Sequence, residues 1–178
     1  MNTDVLIIGG GMAGCVAALS AAETGSDVTL GTKTDELVGG NTNLAQGGII
    51  FKGANDSPEL LKKDILAAGA GFCYEPAVDE LCNHGPGLVE ELLIKRLKVP
   101  FTHSDTGNEY HRTAEAAHSV PRILHANDQT GAAIEAALVR AVEEQPKIRV
   151  LKKLTALELL TNTHHSADPA GIYQQPRC

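Results

Sequence analysis

Tryptophan is absent from the 178 residues, and three tyrosines and three phenylalanines bring the aromatic share to only 3%. So few rings exclude a stacking platform for single-stranded nucleic acid, which lays successive bases on aromatic faces. Positive charge is scarce as well: 15 Lys and Arg against 22 Asp and Glu leave a net charge of -7. With no basic cluster to meet phosphates or anionic lipid, nucleic acid and a charged membrane surface are excluded as main partners. Cys15, Cys73, Cys82 and Cys178 lie far apart with no C-x-x-C pair, so neither a zinc knuckle nor a redox dithiol is indicated and free, mostly buried thiols are expected. A membrane-length apolar run is missing too. Residues 5–22 carry no charge, but Gly9, Gly10, Gly11 and Gly14 interrupt them, and Asp4 stands where a signal peptide carries positive charge. These features predict a cytoplasmic protein without a membrane span.

What is present is an ordinary apolar fraction, 43%, in a chain long enough for one domain that buries roughly 70% of its unfolded surface. The organising stretch is VLIIGGGMAG at residues 5–14. It joins an apolar β-branched strand to a glycine turn and a helix start, with Gly9, Gly11 and Gly14 at the spacing G-x-G-x-x-G. The first glycine makes the tight turn, the second lets backbone approach a pyrophosphate, and the third lets the helix pack on the strand. The phosphates then rest on unpaired N–H groups at the positive end of a helix, with no lysine needed. A strand over 4–8, a helix over 12–23 capped by Gly25, and a strand over 27–30 make a βαβ crossover and predict a parallel sheet. In a nicotinamide site an acidic residue about 20 positions on holds the ribose. Here the chain reads Gly31, Thr32, Lys33, which leaves Thr32 as the side-chain oxygen for that task.

Residues 39–49, GGNTNLAQGGI, predict a structured, ligand-facing loop rather than a regular element. Its glycines allow close approach, Asn41, Thr42, Asn43 and Gln46 add short polar groups, and Leu44, Ala45, Ile49, Ile50 and Phe51 are expected to pin it to a core. Ser57 and Pro58 open a helix that Gly69 and Gly71 end. Pro76 opens another, which the sequence predicts to break at Gly85, Pro86 and Gly87. It is expected to resume with Leu88, Leu92, Ile94 and Leu97 inward and Glu90, Glu91, Lys95 and Arg96 outward. Residues 100–125 are rich in histidine (His103, His111, His118, His125) but lack metal-ligand spacing, so no metal is expected. Asn127 or Asp128 is expected to cap a helix that Pro146 stops, followed by strands over 148–151 and 154–160. Residues 161–178 read as loop, with His164 and His165 exposed.

Three motifs, IIGGGMAG at residues 7–14, NTNLAQGGI at 41–49 and RILHANDQTG at 122–131, occur in one order across nearly the whole chain. On them the sequence resembles the flavoprotein family of succinate dehydrogenase, fumarate reductase and L-aspartate oxidase. That family puts Ser or Thr followed by Lys where other dinucleotide sites have an acid, as Thr32 and Lys33 stand here. The fold implied is an α/β, Rossmann-like FAD-binding domain with a parallel sheet over residues 1–160, truncated before the capping domain, with 161–178 leading towards the remainder. Membrane-bound members link FAD covalently through a histidine where this chain has Asn41, so the resemblance implies noncovalent FAD. The segment TAEAAHS at 113–119 is similar to the T-x-E-G-G-H-S of the aspartate-oxidising members, with Ala116 and Ala117 in place of the two glycines.

The resemblance implies oxidation of L-aspartate to iminoaspartate, with dioxygen or fumarate reoxidising the flavin and a functional link to quinolinate synthase in NAD biosynthesis. Gly9, Gly11, Met12, Ala13 and Gly14 are implied to hold the pyrophosphate, Thr32, Lys33 and Ala156 the adenosine side. Asn41, Thr42, Asn43, Ala45, Gln46, Gly47 and Gly48 are implied to run along the phosphates and the isoalloxazine ring. Glu115 and His118 are implied to face the substrate, the carboxylate pairing with its ammonium. The capping domain and the proton-transferring arginine are expected outside these residues, so the isolated chain is expected to turn over no substrate. Two alternatives stay open: a soluble fumarate reductase or succinate dehydrogenase flavoprotein, and a noncatalytic nucleotide-binding fragment.

Overall fold

Four consecutive apolar residues, VLII, form strand β1 (Val5–Ile8), and the glycine turn after them delivers the chain straight into helix α1 (Met12–Glu23). The structure, a computed structural model, describes residues 2–105, 107 and 109–158. Gly25, at φ +95°, makes the left-handed step that ends α1. The chain returns as β2 (Val28–Gly31), parallel to β1 from Val5↔Val28 to Ile8↔Gly31. The predicted βαβ unit is present, and all four residues of β2 are buried because strands flank it on both sides.

Next come a single helical turn, α2 (Asn41–Leu44), the two-residue strand β3 (Ile49–Ile50), and α3 (Pro58–Ala68). Ser57 caps α3 by accepting from the Leu60 N–H at 3.2 Å, and Gly69 ends it, both as the sequence predicts. Helix α4 (Glu75–Leu88) is followed by β4 (Arg112–Thr113), β5 (Ile123–Leu124), α5 (Thr130–Glu144) and β6 (Ile148–Leu151). Strand β6 pairs parallel with β2, giving the sheet order β1-β2-β6. The α/β fold with a parallel sheet is therefore the observed one. Helices α1 and α5 pack together through small and branched side chains: Cys15, Ala18, Leu19 and Ala22 share one buried cluster with Ile134, Leu138 and Val142.

Several expectations are corrected. The 39–49 segment is not wholly irregular, since it contains α2 and β3, and Leu44 does not pin it but stays 74% exposed. The helix over 75–96 does not break at Gly85, Pro86 and Gly87. It runs through Pro86 and widens directly afterwards into a π-helical segment, Val89–Arg96, in which Leu97 N–H reaches back five residues to Leu92 C=O. The wider turn rotates the apolar face, so Val89 and Leu93 are buried while Leu88 is 64% exposed. Neither Asn127 nor Asp128 caps α5. Those residues lie in a turn closed by Gln129 N–H to Ala126 C=O, and the helix begins at Thr130. Residues 154–158 form no strand, and the rest of the predicted 154–160 strand, the 161–178 loop, His164, His165 and Cys178 lie outside the described residues. The sequence reading also missed a second, antiparallel sheet, β3-β5-β4, whose two-residue strands are too short to show a period.

Candidate functional site

At the C-terminal ends of β1 and β2 the backbone opens a cavity of about 400 Å³, bounded by Gly9, Gly10 and Gly11, by 31–34, by Gly39–Thr42 and by 154–156. The position is that expected for a ligand on an open parallel sheet. Gly9 takes φ +109°, and a Cβ at Gly14 would lie 1.9 Å from Gly9 O, so the turn and the helix start fit only as glycine. Gly11 ends its turn without a side-chain cap, and α1 has no acidic residue in its first turn. The helix therefore presents the positive end of its dipole, with no capping side chain from Gly11 and the Met12 N–H held by the Thr42 hydroxyl. Among the described residues none that lines the cavity is acidic, and Lys33 is the charged one. These properties fit a pyrophosphate-bearing dinucleotide. Thr32 is buried, its hydroxyl 2.7 Å from that of Thr34. Thr32 is therefore not the sole side-chain oxygen here, because Thr34 also lines the cavity.

A second cavity of about 410 Å³ continues from the first through Asn41 and Thr42, which line both, and adds Met12, Ala45, Gly47, Gly48 and the start of α5. Thr42 joins the walls directly, its hydroxyl accepting from Met12 N–H at 3.1 Å. Helix α5 comes so close to α2 that a Cβ on Gly131 would lie 1.9 Å from Thr42 O. Beside it, the Thr130 hydroxyl donates to Gly47 C=O at 2.7 Å and accepts from Ala126 N–H at 3.0 Å. The Q-T-G of the third motif thus shapes the loop of the second. Of the other expected cofactor residues, Ala156 lines the first cavity, whereas Ala13, Gly14, Asn43 and Gln46 line neither.

Beneath the loop, Glu135 is fully buried and accepts from Gly39 N–H at 3.0 Å, while its Oε1 has no partner among the described residues. Burial pushes this carboxyl above the usual range, with the Gly39 bond opposing. Burial, reinforced by Glu135, raises the Cys15 thiol to about 11, so Cys15 is an inert core residue.

Glu115 is exposed, and its Oε1 is 3.4 Å from where a Cβ on Gly47 would stand, which sets the carboxylate against the second cavity's wall. Three residues on, His118 N–H bonds Glu115 C=O at 3.1 Å, closing a turn. The His118 ring packs on an ionic cluster that the sequence reading missed. Arg122, fully buried, bonds both oxygens of Asp56 at 2.8 Å and Asp64 Oδ2 at 2.6 Å. Asp64 is held down to about 2 by the Ser119 N–H and by Arg122. Burial pushes Asp56 up, but the Arg122 bonds and the Gly53 and Ser57 N–H groups outweigh it, and the carboxyl stays below its usual range. One signal could have found this cluster: Asp64 lies three residues after the buried Leu61, so it shares the inward face of α3. The other histidines of residues 100–125 also have partners: His103 packs on Tyr110, and His111 Nδ1 is 2.7 Å from His125 Nε2.

Comparison with known proteins places these features in a wider group. The model of a family described as FAD binding domain matches residues 4–174. The L-aspartate oxidase of Halobacterium salinarum is 42% identical over 161 residues, 90% of this chain and 31% of that protein. The chloroplastic L-aspartate oxidase of Arabidopsis thaliana is 41% identical over 89% of this chain and 24% of its own length. The chain thus spans less than a third of these relatives. Among solved structures, a variant of E. coli quinol fumarate reductase superposes with a TM-score of 0.79 at 24% identity, covering 86% of this chain and 26% of the other. The open conformation of a flavocytochrome c3 fumarate reductase gives 0.77 at 24% identity, covering 92% and 29%. At that identity the likeness is one of fold.

Proposed function

The chain belongs to the FAD binding domain family, and from that premise we propose that it forms the nucleotide-holding part of an enzyme that oxidises L-aspartate to iminoaspartate. The observation that carries this reading is the pair of cavities that share Asn41 and Thr42, with the Glu115 carboxylate beside Gly47, a residue of the second one's wall. FAD, when bound, supplies the hydride acceptor. Gly9, Gly11, Met12, Ala13 and Gly14 form the turn and helix start that hold the pyrophosphate at the positive end of the helix, the Gly9 N–H being held by Gly31 C=O and the Met12 N–H by the Thr42 hydroxyl. Thr32, Lys33, Thr34 and Ala156 border the adenosine side. Asn41, Thr42, Asn43, Ala45, Gln46, Gly47 and Gly48 follow the phosphates towards the isoalloxazine ring. An asparagine at 41 has no ring nitrogen to bond to carbon, so attachment is noncovalent.

Glu115 holds the substrate ammonium, and His118 stands beside it for a carboxylate. An ionised Glu115 facing an ammonium gains an ion pair, whereas facing succinate it stays uncompensated, which is the basis for preferring the amino acid. Dioxygen or fumarate completes the cycle, and the iminoaspartate passes to quinolinate synthase in the cytoplasm. No helix among the described residues is long and apolar enough to cross a membrane.

The test compares ligand binding to the intact protein before and after Glu115→Ala. L-Aspartate binding is expected to weaken about tenfold or more, the scale of one charge-assisted hydrogen bond, while succinate binding holds or tightens. Unchanged aspartate binding would remove the role given to Glu115 and favour a succinate or fumarate enzyme, the reading that the shared fold of the fumarate reductases supports.

A further inference from the structure

The donors of Arg122 are almost fully assigned. Nε and Nη2 go to the two oxygens of Asp56, and Nη1 goes to Asp64 Oδ2 at 2.6 Å and to His118 Nδ1 at 2.9 Å. Nη1 carries two hydrogens, and those two contacts use both. A guanidinium has five N–H donors, no acceptor, and does not lose its proton in a protein. The ring nitrogen that faces it must therefore offer a lone pair. Asp56 and Asp64 are the other charged groups bonded to Arg122 among the described residues, and both accept from it, so neither relaxes this requirement. The turn that carries the ring is also fixed. Ser119 N–H and hydroxyl both bond Asp64 Oδ2 at 2.9 Å, and His118 N–H bonds Glu115 C=O.

The geometry points to Arg122 as a positioning residue that fixes His118 in the Nε2–H tautomer, so that His118 meets a ligand beside Glu115 as a hydrogen-bond donor. That a ligand sits there, and its name, rest on the proposed aspartate reading. A ring with its proton on Nε2 takes up no proton at that atom, so His118 recognises an acceptor and does not act as a base there. The turn then pairs one acceptor, Glu115, with one donor, His118. That set complements a molecule bearing both an ammonium and a carboxylate. A dicarboxylate satisfies only the donor.

The experiment is ¹⁵N NMR of the intact holoenzyme labelled at histidine, at neutral pH, with His118 assigned by its absence in His118→Asn. The expected spectrum has a pyridine-type Nδ1 and a pyrrole-type Nε2, retained in Arg122→Lys, which keeps a cationic donor. A protonated Nδ1, alone or in an imidazolium, overturns the assignment. Two side-chain mimics read the consequence. Asn at 118 reaches only the Nδ1 position and Gln reaches the Nε2 position, so His118→Asn raises KM for L-aspartate about tenfold with little change in kcat, and His118→Gln recovers it. Equal losses in the two variants also overturn the donor role. Wild type that shows the expected tautomer but does not oxidise L-aspartate would contradict the functional reading and leave the assignment of Arg122 standing.

Discussion

Ala117 sits at φ +73° in the turn closed by His118 N–H and Glu115 C=O, a conformation that glycine adopts at no steric cost and alanine does not. The resemblance places glycine there, and the backbone has kept the glycine conformation with a Cβ in it. Ala117→Gly is therefore expected to stabilise the protein by about 0.5–1 kcal/mol despite the extra freedom of the unfolded chain, as read by urea unfolding. A second residue-scale expectation concerns acid. Asp64 has its folded pKa depressed to about 2, so its ionised contribution is complete above its ordinary value of 3.8 and is lost as pH falls through about 2. Asp64→Asn leaves Arg122 with one fewer buried partner and is expected to cost about 3 kcal/mol near neutrality. Measured against wild type, that difference should shrink from pH 5 to pH 2, where wild type loses the same charge. A difference that stays constant over that range contradicts the role given to the ionised carboxylate.

At the scale of elements, legibility in the sequence follows the range of the interaction. The strand, turn and helix at Val5–Ile8 and Met12–Glu23 were readable because each signal is local: β-branched residues, then glycines, then a run of small residues. Ser57 and Gly69 announced their helix ends for the same reason. Pro86 misled because it sits inside α4, which runs on through it into the wider helical segment that starts at Val89. Arg122, Asp56, Asp64 and Glu135 were invisible as a site because their partners are 58, 66 and 96 positions away in the chain. Gly131 was recognised only as a motif letter. Its physical reason is the 1.9 Å that a Cβ would leave to Thr42 O, where α5 crosses α2. Gly131→Ala must push Asn41–Leu44 off α5, with an expected loss of about 1–3 kcal/mol in stability and a weaker hold on FAD. Thermal unfolding and FAD titration of the intact protein check both, and unchanged FAD binding contradicts the wall role of α2.

For the whole molecule, the sheet carries two of its faces unequally. Strand β2 is buried throughout, while β1, at one edge, leaves Leu6 58% and Ile8 66% exposed. Parallel sheets are ordinarily covered on both faces, and the chain spans less than a third of its relatives. The proposed oxidation is therefore measured on a protein of the relatives' full length. The most direct measurement is an anaerobic titration of the intact protein with L-aspartate while following the visible absorption band of the flavin. The account predicts that the band bleaches and iminoaspartate forms, and that acid denaturation releases the flavin free of the chain. A colourless protein, or a flavin band that succinate bleaches and L-aspartate leaves unchanged, would contradict it.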